Sequence, residues 1–165
     1  MKVYVDGSYM SRVKNISISY CIVDKNKNIL DEFGLSVGYS DYSDYVNKYG
    51  NKFVGLLAMC KTIDKLYKNR DLYSGEKIEI STQNSFVVYA LRVMKNSREI
   101  LSFMKQWYEL YPFLEFIRKR MKHINIVTID KLSTSVSSIK VSEDDINDKS
   151  VFQVVMPPIR MRCTS

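Results

Sequence analysis

The first segment of the chain strongly limits the folds it can adopt. In residues 2–10, KVYVDGSYM, Val3 and Val5 alternate with Tyr4 and Asp6, and a period of two is typical of a β-strand. The segment contains Asp-Gly-Ser at residues 6–8. An acid at the end of a first strand, followed by glycine and a small hydroxyl residue, can present its carboxylate to a metal or a phosphate. The alternative is that Asp-Gly is only turn chemistry.

The next segments predict a three-stranded antiparallel meander. Residues 15–24 alternate and then become apolar, and residues 29–37 form a third strand-like stretch. The polar tetrapeptide KNKN at 25–28 suits a hairpin between them. Residues 38–50 are rich in Tyr, Ser and Asp and are predicted to be a loop. Its four tyrosines could stack on nucleobases, although covering an edge of the core is the preferred interpretation.

The second half alternates between helices and strands. Apolar residues at helical spacing predict the first clear helix over residues 51–69. Ser97 is a suitable N-cap for a long aromatic helix that reaches Tyr111, and Pro112 is expected to break or kink it. The other predicted elements are a strand at 77–82, a helix from 83 or 84 to about 95, a helix at 113–122 and a strand at 125–130.

The length of the chain predicts one domain. For 165 residues a single domain over 1–165 is the default, and no repeat or interdomain linker interrupts it. The segment 131–165 is expected to be largely irregular, because it contains a Ser-rich part and an acidic cluster at 143–145. A short strand at 150–156 is the exception, and the basic end of the chain is expected to be a loose tail.

The charge balance favours an anionic partner. Twenty-five Lys and Arg against 18 Asp and Glu give a net charge of +7, and nucleic acid is the commonest partner of a basic protein. The alternative is that the charge only keeps the protein soluble.

Cysteine and histidine usage excludes several kinds of site. The three cysteines are far apart and form neither a zinc pattern nor a disulfide framework, which predicts a reducing compartment. The single His123 cannot build a His-rich metal site. Because no signal peptide or membrane span of ~18 apolar residues is visible, we expect a cytoplasmic protein. The bias towards Lys, Asn, Ile, Tyr and Ser suggests the AT-rich genome of a virus, phage or low-GC bacterium, with the host cytoplasm as the location if the source is viral.

Three short motifs resemble the ribonuclease H-like superfamily. They are DGSY at residues 6–9, FVGLLAM at 53–59 and IEISTQNSFVV at 78–88. The resemblance covers about residues 1–130. It implies an α/β fold with a mixed five-stranded sheet, in which three antiparallel strands are extended by parallel additions, and with helices on both faces.

The same resemblance places the family's catalytic positions on this chain. Active members hold two Mg²⁺ ions with a cluster of carboxylates, because the metals activate the attacking water and stabilise the leaving oxygen. Asp6 matches the first aspartate, but the helix glutamate falls at Gly55 and the aspartate after the fourth strand falls at Gln83. Neither Asp64 nor Glu79, the nearest spare acids, lies close enough along the chain to substitute.

The late aspartate of the family has no clear match here. Asp130 or the acids at 143–145 could be proposed, but neither lies in a recognisable motif. Since one carboxylate of four cannot hold two Mg²⁺ ions, we expect a vestigial Asp6, no catalytic residue, no metal and no cofactor.

Three functions are compatible with the sequence. The first is a catalytically inactive module that binds duplex RNA or an RNA–DNA hybrid through Arg118, Lys119, Arg120 and Lys122, although these cations could simply complement a helix C-terminus. The second is an inactivated-enzyme scaffold that binds protein partners in a larger, potentially viral assembly. The third is a divergent Mg²⁺-dependent endonuclease that uses Asp6.

Overall fold

The first strand lies at the centre of a five-stranded sheet. The computed structural model describes residues 1–95 and 98–132. The strands are β1 (Lys2–Met10), β2 (Asn15–Val23), β3 (Ile29–Val37), β4 (Ile78–Thr82) and β5 (Ile126–Lys131). They are ordered β3-β2-β1-β4-β5. The pairs β1–β2 and β2–β3 are antiparallel, whereas β1–β4 and β4–β5 are parallel. The mixed sheet predicted from the sequence is confirmed.

The helices build one large apolar core with the sheet. They are α1 (Tyr39–Tyr49), α2 (Asn51–Lys68), α3 (Ser85–Lys95), α4 (Ile100–Gln106) and α5 (Tyr111–Met121), with a 3-10 turn at Tyr108–Leu110. Val3 and Val5 of β1 are buried against this core together with Phe53 of α2 and Phe113 of α5. The α2 helix is the central one, because it is buried along most of its length between β1 and α5.

The prediction of a loop at 38–50 is wrong, because most of this segment forms α1. Tyr42 and Val46 are spaced by four residues and are buried, which is the spacing of one helix face. The Tyr45 ring stacks on Phe53 at 5.0 Å between centroids. The tyrosines were therefore at helical spacing, and Tyr42 and Tyr45 cover the core.

The prediction of one long helix that reaches Tyr111 is also wrong. The α4 helix ends at Gln106, and α5 begins at Tyr111 with Pro112 in its first turn. Proline is tolerated there because the first N–H groups of a helix have no partner within the helix. Pro112 therefore starts a helix instead of kinking one. The predicted N-cap Ser97 lies outside the described residues, as do the predictions for 133–165.

Because β1, β4 and β5 are parallel, their ends lie at one side of the sheet and their starts at the other. The ends of β1, β4 and β5, with the first turns of α2 and α3, form what we term the carboxyl edge. The backbone N–H of Tyr9 donates to Asn51 Oδ1 at 2.9 Å there. The starts of the same strands, with the last turns of α2, α3 and α5, form the amino edge. At that edge Lys95 Nζ donates to the carbonyl oxygen of Ile126.

Two findings concern the predicted location and redox state. Cys21 and Cys60 are buried and form no disulfide with each other, whereas Cys163 lies outside the described residues. None of the helices within 1–95 and 98–132 combines the length and apolar character needed to cross a bilayer.

Candidate functional site

Asp6 and Gln83 follow matched positions on neighbouring parallel strands. The register of β1 and β4 places Val5 opposite Thr82, and Asp6 and Gln83 are the next residues of each chain segment. Because adjacent strands lie ~4.8 Å apart, the backbones of these two residues are neighbours. On its other side, Asp6 pairs with Ser19 of β2.

Gly7 lies inside β1, so the Asp-Gly pair is not part of a turn. It is paired with Ile18 across the antiparallel ladder. A Cβ atom on Gly7 would lie 2.6 Å from the carbonyl oxygen of Val54 and 2.9 Å from its carbonyl carbon. Such distances are sterically forbidden, and a backbone atom cannot rotate away. Glycine is needed here because α2 approaches β1 closely, which also places Gly55, the next residue of α2, beside the strand of Asp6.

The space beside Gly55 is filled by another side chain. A Cβ atom on Gly55 would lie 2.1 Å from Asn84 Nδ2 and 2.8 Å from Asn84 Cγ, with a Val87 methyl group at 3.0 Å. A carboxylate-bearing side chain at this position would therefore displace Asn84. The three positions to which the resemblance assigns carboxylates thus hold one acid, one amide and one glycine whose side-chain space is taken.

Asn84 is fixed by hydrogen bonds on both sides of its amide. Its Oδ1 accepts from the backbone N–H of Val87 at 3.1 Å, which makes it the N-cap of α3. Its Nδ2 donates to the carbonyl oxygen of Asn51 at 2.7 Å. Since Asn51 Oδ1 in turn accepts from Tyr9, the two asparagines join the end of β1 to the starts of α2 and α3. The start of α3 was predicted at 83 or 84, but the link between Asn84 and Asn51 was not, because it depends on the packing of α2 beside α3.

The spare acids lie elsewhere. Asp64 is buried in α2, with Lys68 Nζ 2.8 Å from Oδ2 and Arg120 Nε 3.4 Å from Oδ1. Glu79 pairs with Lys2 at the start of β1. Asp130 is on β5, where it is paired with Ser81 of β4. This strand is two strands away from β1, and the Asp130 carboxylate lies 3.5 Å from the Arg92 guanidinium.

Within residues 1–95 and 98–132, no three His, Cys, Asp or Glu side chains are grouped so as to hold a metal ion. The described residues alone therefore do not fit the pair of Mg²⁺ ions that the resemblance implies.

The basic cluster predicted to bind nucleic acid lies at the opposite end of the molecule. Arg118, Lys119, Arg120 and Lys122 are at the end of α5, at the amino edge. The axis of α5 spans roughly 16 Å at 1.5 Å per residue. The structure therefore separates the cluster from Asp6 instead of joining them in one site.

Two of the four basic residues are held closely by internal partners, and a third, Lys119, lies 3.9 Å from Glu115. Arg118 donates to both oxygens of Glu115, at 2.7 and 2.9 Å, and this bond holds the pKa of Glu115 below its ordinary value. Arg120 packs its guanidinium 3.5 Å from the centre of the Phe116 ring and faces the buried Asp64. Lys119 and Lys122 are exposed and are the members best placed to meet a ligand.

Exposed cations and aromatic rings also lie at the carboxyl edge. Lys14 Nζ lies 5.2 Å from the centre of the Tyr39 ring, and Tyr39 stacks on Tyr9 at the end of β1. Lys52 Nζ lies 5.5 Å from the centre of the Trp107 ring. In the described part of the chain neither lysine forms an ion pair. The edge of the sheet that holds Asp6, Gly55 and Gln83 therefore also carries positive charge.

Comparison with known proteins shows similarity in structure but not in sequence. No family model matches the chain, and no curated protein matches it. Ribonuclease H1 from the halophilic archaeon Halobacterium salinarum superposes with a TM-score of 0.58 at 12% identity, over 83% of this chain and 88% of that one. A ribonuclease H1 isolated from compost by a metagenomic approach gives a TM-score of 0.60 at 16% identity, over 91% of this chain and 94% of that one.

The compost enzyme is also known in complex with an RNA/DNA hybrid. That structure gives a TM-score of 0.52 at 14% identity, over 92% of this chain and 93% of the other. Identities this low show the fold alone, and the ribonuclease H-like fold predicted from the sequence is confirmed.

Proposed function

We propose that this chain, which has the ribonuclease H-like fold, is a non-catalytic module that binds duplex RNA or an RNA–DNA hybrid at its carboxyl edge. The observation that carries the proposal is the contact between Gly55 and Asn84. The amide of Asn84 fills the space that a carboxylate side chain at position 55 would need. The structural likeness to a ribonuclease H1 in complex with an RNA/DNA hybrid supports a nucleic-acid partner.

The chain is proposed to be non-catalytic because it offers too few ligands for two Mg²⁺ ions. Two Mg²⁺ ions need several carboxylate oxygens, because Mg²⁺ prefers hard anionic oxygen ligands in octahedral geometry. Asp6 offers one carboxylate, Gln83 a neutral amide and Gly55 nothing. The spare acid Asp64 is committed to Arg120 and Lys68. Hydrolysis through two metals is therefore not expected.

The carboxyl edge is the proposed binding surface because the metals of active ribonucleases H would hold the substrate there. In two-metal hydrolysis the ions contact the scissile phosphate, so the positions of Asp6, Gly55 and Gln83 mark where a nucleic-acid backbone passes in an active relative. Here the same edge carries Lys14 and Lys52, and neither lysine forms an ion pair with an acid among the described residues. Contacts of lysine with phosphates give affinity without sequence specificity.

The basic cluster at the end of α5 is the alternative surface. Lys119 and Lys122 are its exposed members, whereas Arg118 and Arg120 already contact Glu115 and Asp64. A duplex bound there would lie at the other end of the molecule from Asp6.

A scaffold role is the second candidate function. Leu101 of α4 is 83% exposed and Tyr108 is 68% exposed, and large exposed apolar side chains are enriched where proteins dock. Under this alternative the chain would bind a protein through the region of α4 and would have no affinity for a duplex.

A salt titration of duplex binding tests the proposal. Removing one lysine–phosphate interaction reduces the slope of log affinity against log salt by roughly one unit. We expect Lys14→Ala/Lys52→Ala to reduce the slope by about two units, and the matched pair Lys119→Ala/Lys122→Ala to leave it unchanged. The opposite result would assign the duplex to the end of α5. No wild-type binding at low salt would reject the nucleic-acid proposal and favour the scaffold.

A further inference from the structure

A cavity lies at the amino edge, away from the proposed duplex surface. It has a volume of about 440 Å³ and is formed where α3 and α5 end and where α4 and β5 begin. Met94, Ile100, Met121 and Ile124 line it with apolar side chains. Cavities that bind small molecules in proteins are typically ~300–1,000 Å³ and mostly apolar, so this cavity falls within the range for a small ligand.

The rim of the cavity is basic. Lys95, Arg118 and Lys122 contribute to its lining, and no acidic residue of the described chain does. Two other cavities at this end of the molecule differ, since one is lined by Asp24 and Glu76 and the other by Asp71. Both of those cavities also contain a cation and apolar side chains, so what distinguishes this cavity among the three is that its cations are not accompanied by an acid.

The three cations are not equally available. Arg118 is held by Glu115 through two hydrogen bonds, and Lys95 Nζ donates to the carbonyl oxygen of Ile126. Lys122 is exposed, and no ion pair among the described residues involves it. An ammonium group carries three donors, so Lys95 also keeps donors for a ligand. Lys122, assisted by Lys95, is thus the principal anion contact.

We infer that this cavity binds a small amphipathic anion. The apolar body of the ligand contacts Met94, Ile100, Met121 and Ile124, and its phosphate or carboxylate group lies at Lys122 and Lys95. Methionine suits this role because its flexible, polarisable side chain adapts to either an aromatic ring or an acyl chain. Favourable interaction of the cations with the C-termini of α3 and α5 accounts for the charges, but it does not account for an open apolar cavity between them.

Two probes separate the sources of such a ligand. Adenosine monophosphate has an aromatic body and a phosphate, and dodecanoate has an acyl body and a carboxylate. Inorganic phosphate, which has no apolar body, is the third arm. Binding is followed through the ¹³C-methyl NMR signals of the methionines, assigned with Met94→Leu and Met121→Leu, and affinities come from calorimetry on the full chain.

We expect at least one of the two amphipathic probes to shift the signals of Met94 and Met121 and to bind at least tenfold more tightly than inorganic phosphate. Lys122→Ala should weaken that binding about fivefold to tenfold, which corresponds to removing one solvent-exposed hydrogen bond. Lys119→Ala is the matched control, because it removes the same charge from the same helix at an exposed residue that does not line the cavity. It should change the affinity less than twofold.

Three results would overturn the inference. They are no binding of either amphipathic probe below ~1 mM, equal weakening by both lysine variants, and binding that leaves the Met94 and Met121 signals in place. Since none of these readouts involves a duplex, the outcome does not depend on the proposed nucleic-acid function.

Discussion

The side-chain nitrogen of Asn84 lies so close to Gly55 that a Cβ atom on residue 55 would be only 2.1 Å from it. The same nitrogen donates to the carbonyl oxygen of Asn51. The position to which the resemblance assigns a glutamate is therefore part of the contact between two helix N-termini. Substitutions at these two residues should consequently be coupled in stability.

Gly55→Ala is expected to destabilise the protein by about 1–3 kcal/mol, as overpacking does. Asn84→Ala is expected to cost about 1 kcal/mol through loss of the N-cap. The double variant should be less destabilised than the sum by at least ~1 kcal/mol, because removing the Asn84 amide opens the space that the added methyl group needs. Urea denaturation of the four proteins measures the coupling. In the control pair, the effects of Gly38→Ala and Asn84→Ala on the free energy of unfolding should be additive. Coupling of the same size in this pair would contradict the proposed contact between residues 55 and 84.

Gly7→Ala should be more damaging than other glycine substitutions. A Cβ there meets the carbonyl oxygen of Val54 at 2.6 Å, so β1 and α2 must separate, at an expected cost of about 2–3 kcal/mol. The exposed Gly38 provides the control, since its added Cβ would meet only the Asp41 carboxylate, at 3.1 Å. Thermal unfolding of both variants is the measurement. Equal melting temperatures would show that β1 and α2 are not in such close contact.

Arg120 should matter for folding more than its neighbours in the basic cluster. It faces the buried Asp64 and packs on Phe116, so Arg120→Ala is expected to cost about 2 kcal/mol. This is less than the ~3–5 kcal/mol of a fully uncompensated buried charge, because Lys68 remains 2.8 Å from Asp64. Lys119→Ala should change stability by less than ~0.5 kcal/mol. Chemical denaturation compares them, and a smaller loss for Arg120→Ala would reject its structural role.

Much of the fold was predictable because its signals are local. The alternation in β1 and the apolar face of α2 gave both elements with nearly correct bounds. The α1 helix was missed because its many Tyr, Ser and Asp residues are typical of a loop, whereas its burial depends on Phe53 and Phe113, which are distant in sequence. Local patterns do not report such contacts.

The candidate site was only partly predictable for the same reason. Motif comparison named Asp6, Gly55 and Gln83, and the β1–β4 register pairs Val5 with Thr82, the residues that directly precede Asp6 and Gln83. The role of Asn84 depends on the packing of α2 against α3, and the internal partners of Arg118 and Arg120 depend on helix faces. A run of basic residues in a sequence shows positive charge, but it does not show whether acidic residues elsewhere in the fold already neutralise that charge.

The central claim is that the chain binds a duplex without cleaving it, and one measurement addresses both parts. A labelled RNA–DNA hybrid is incubated with the purified full chain at low salt and with Mg²⁺ or Mn²⁺, and the bound fraction and the strand lengths are read from the same samples. We predict saturable binding that weakens with salt, with the RNA strand intact. Metal-dependent cleavage that disappears in Asp6→Asn would contradict the account, because Asp6 would then have to act with ligands other than Gly55 and Gln83.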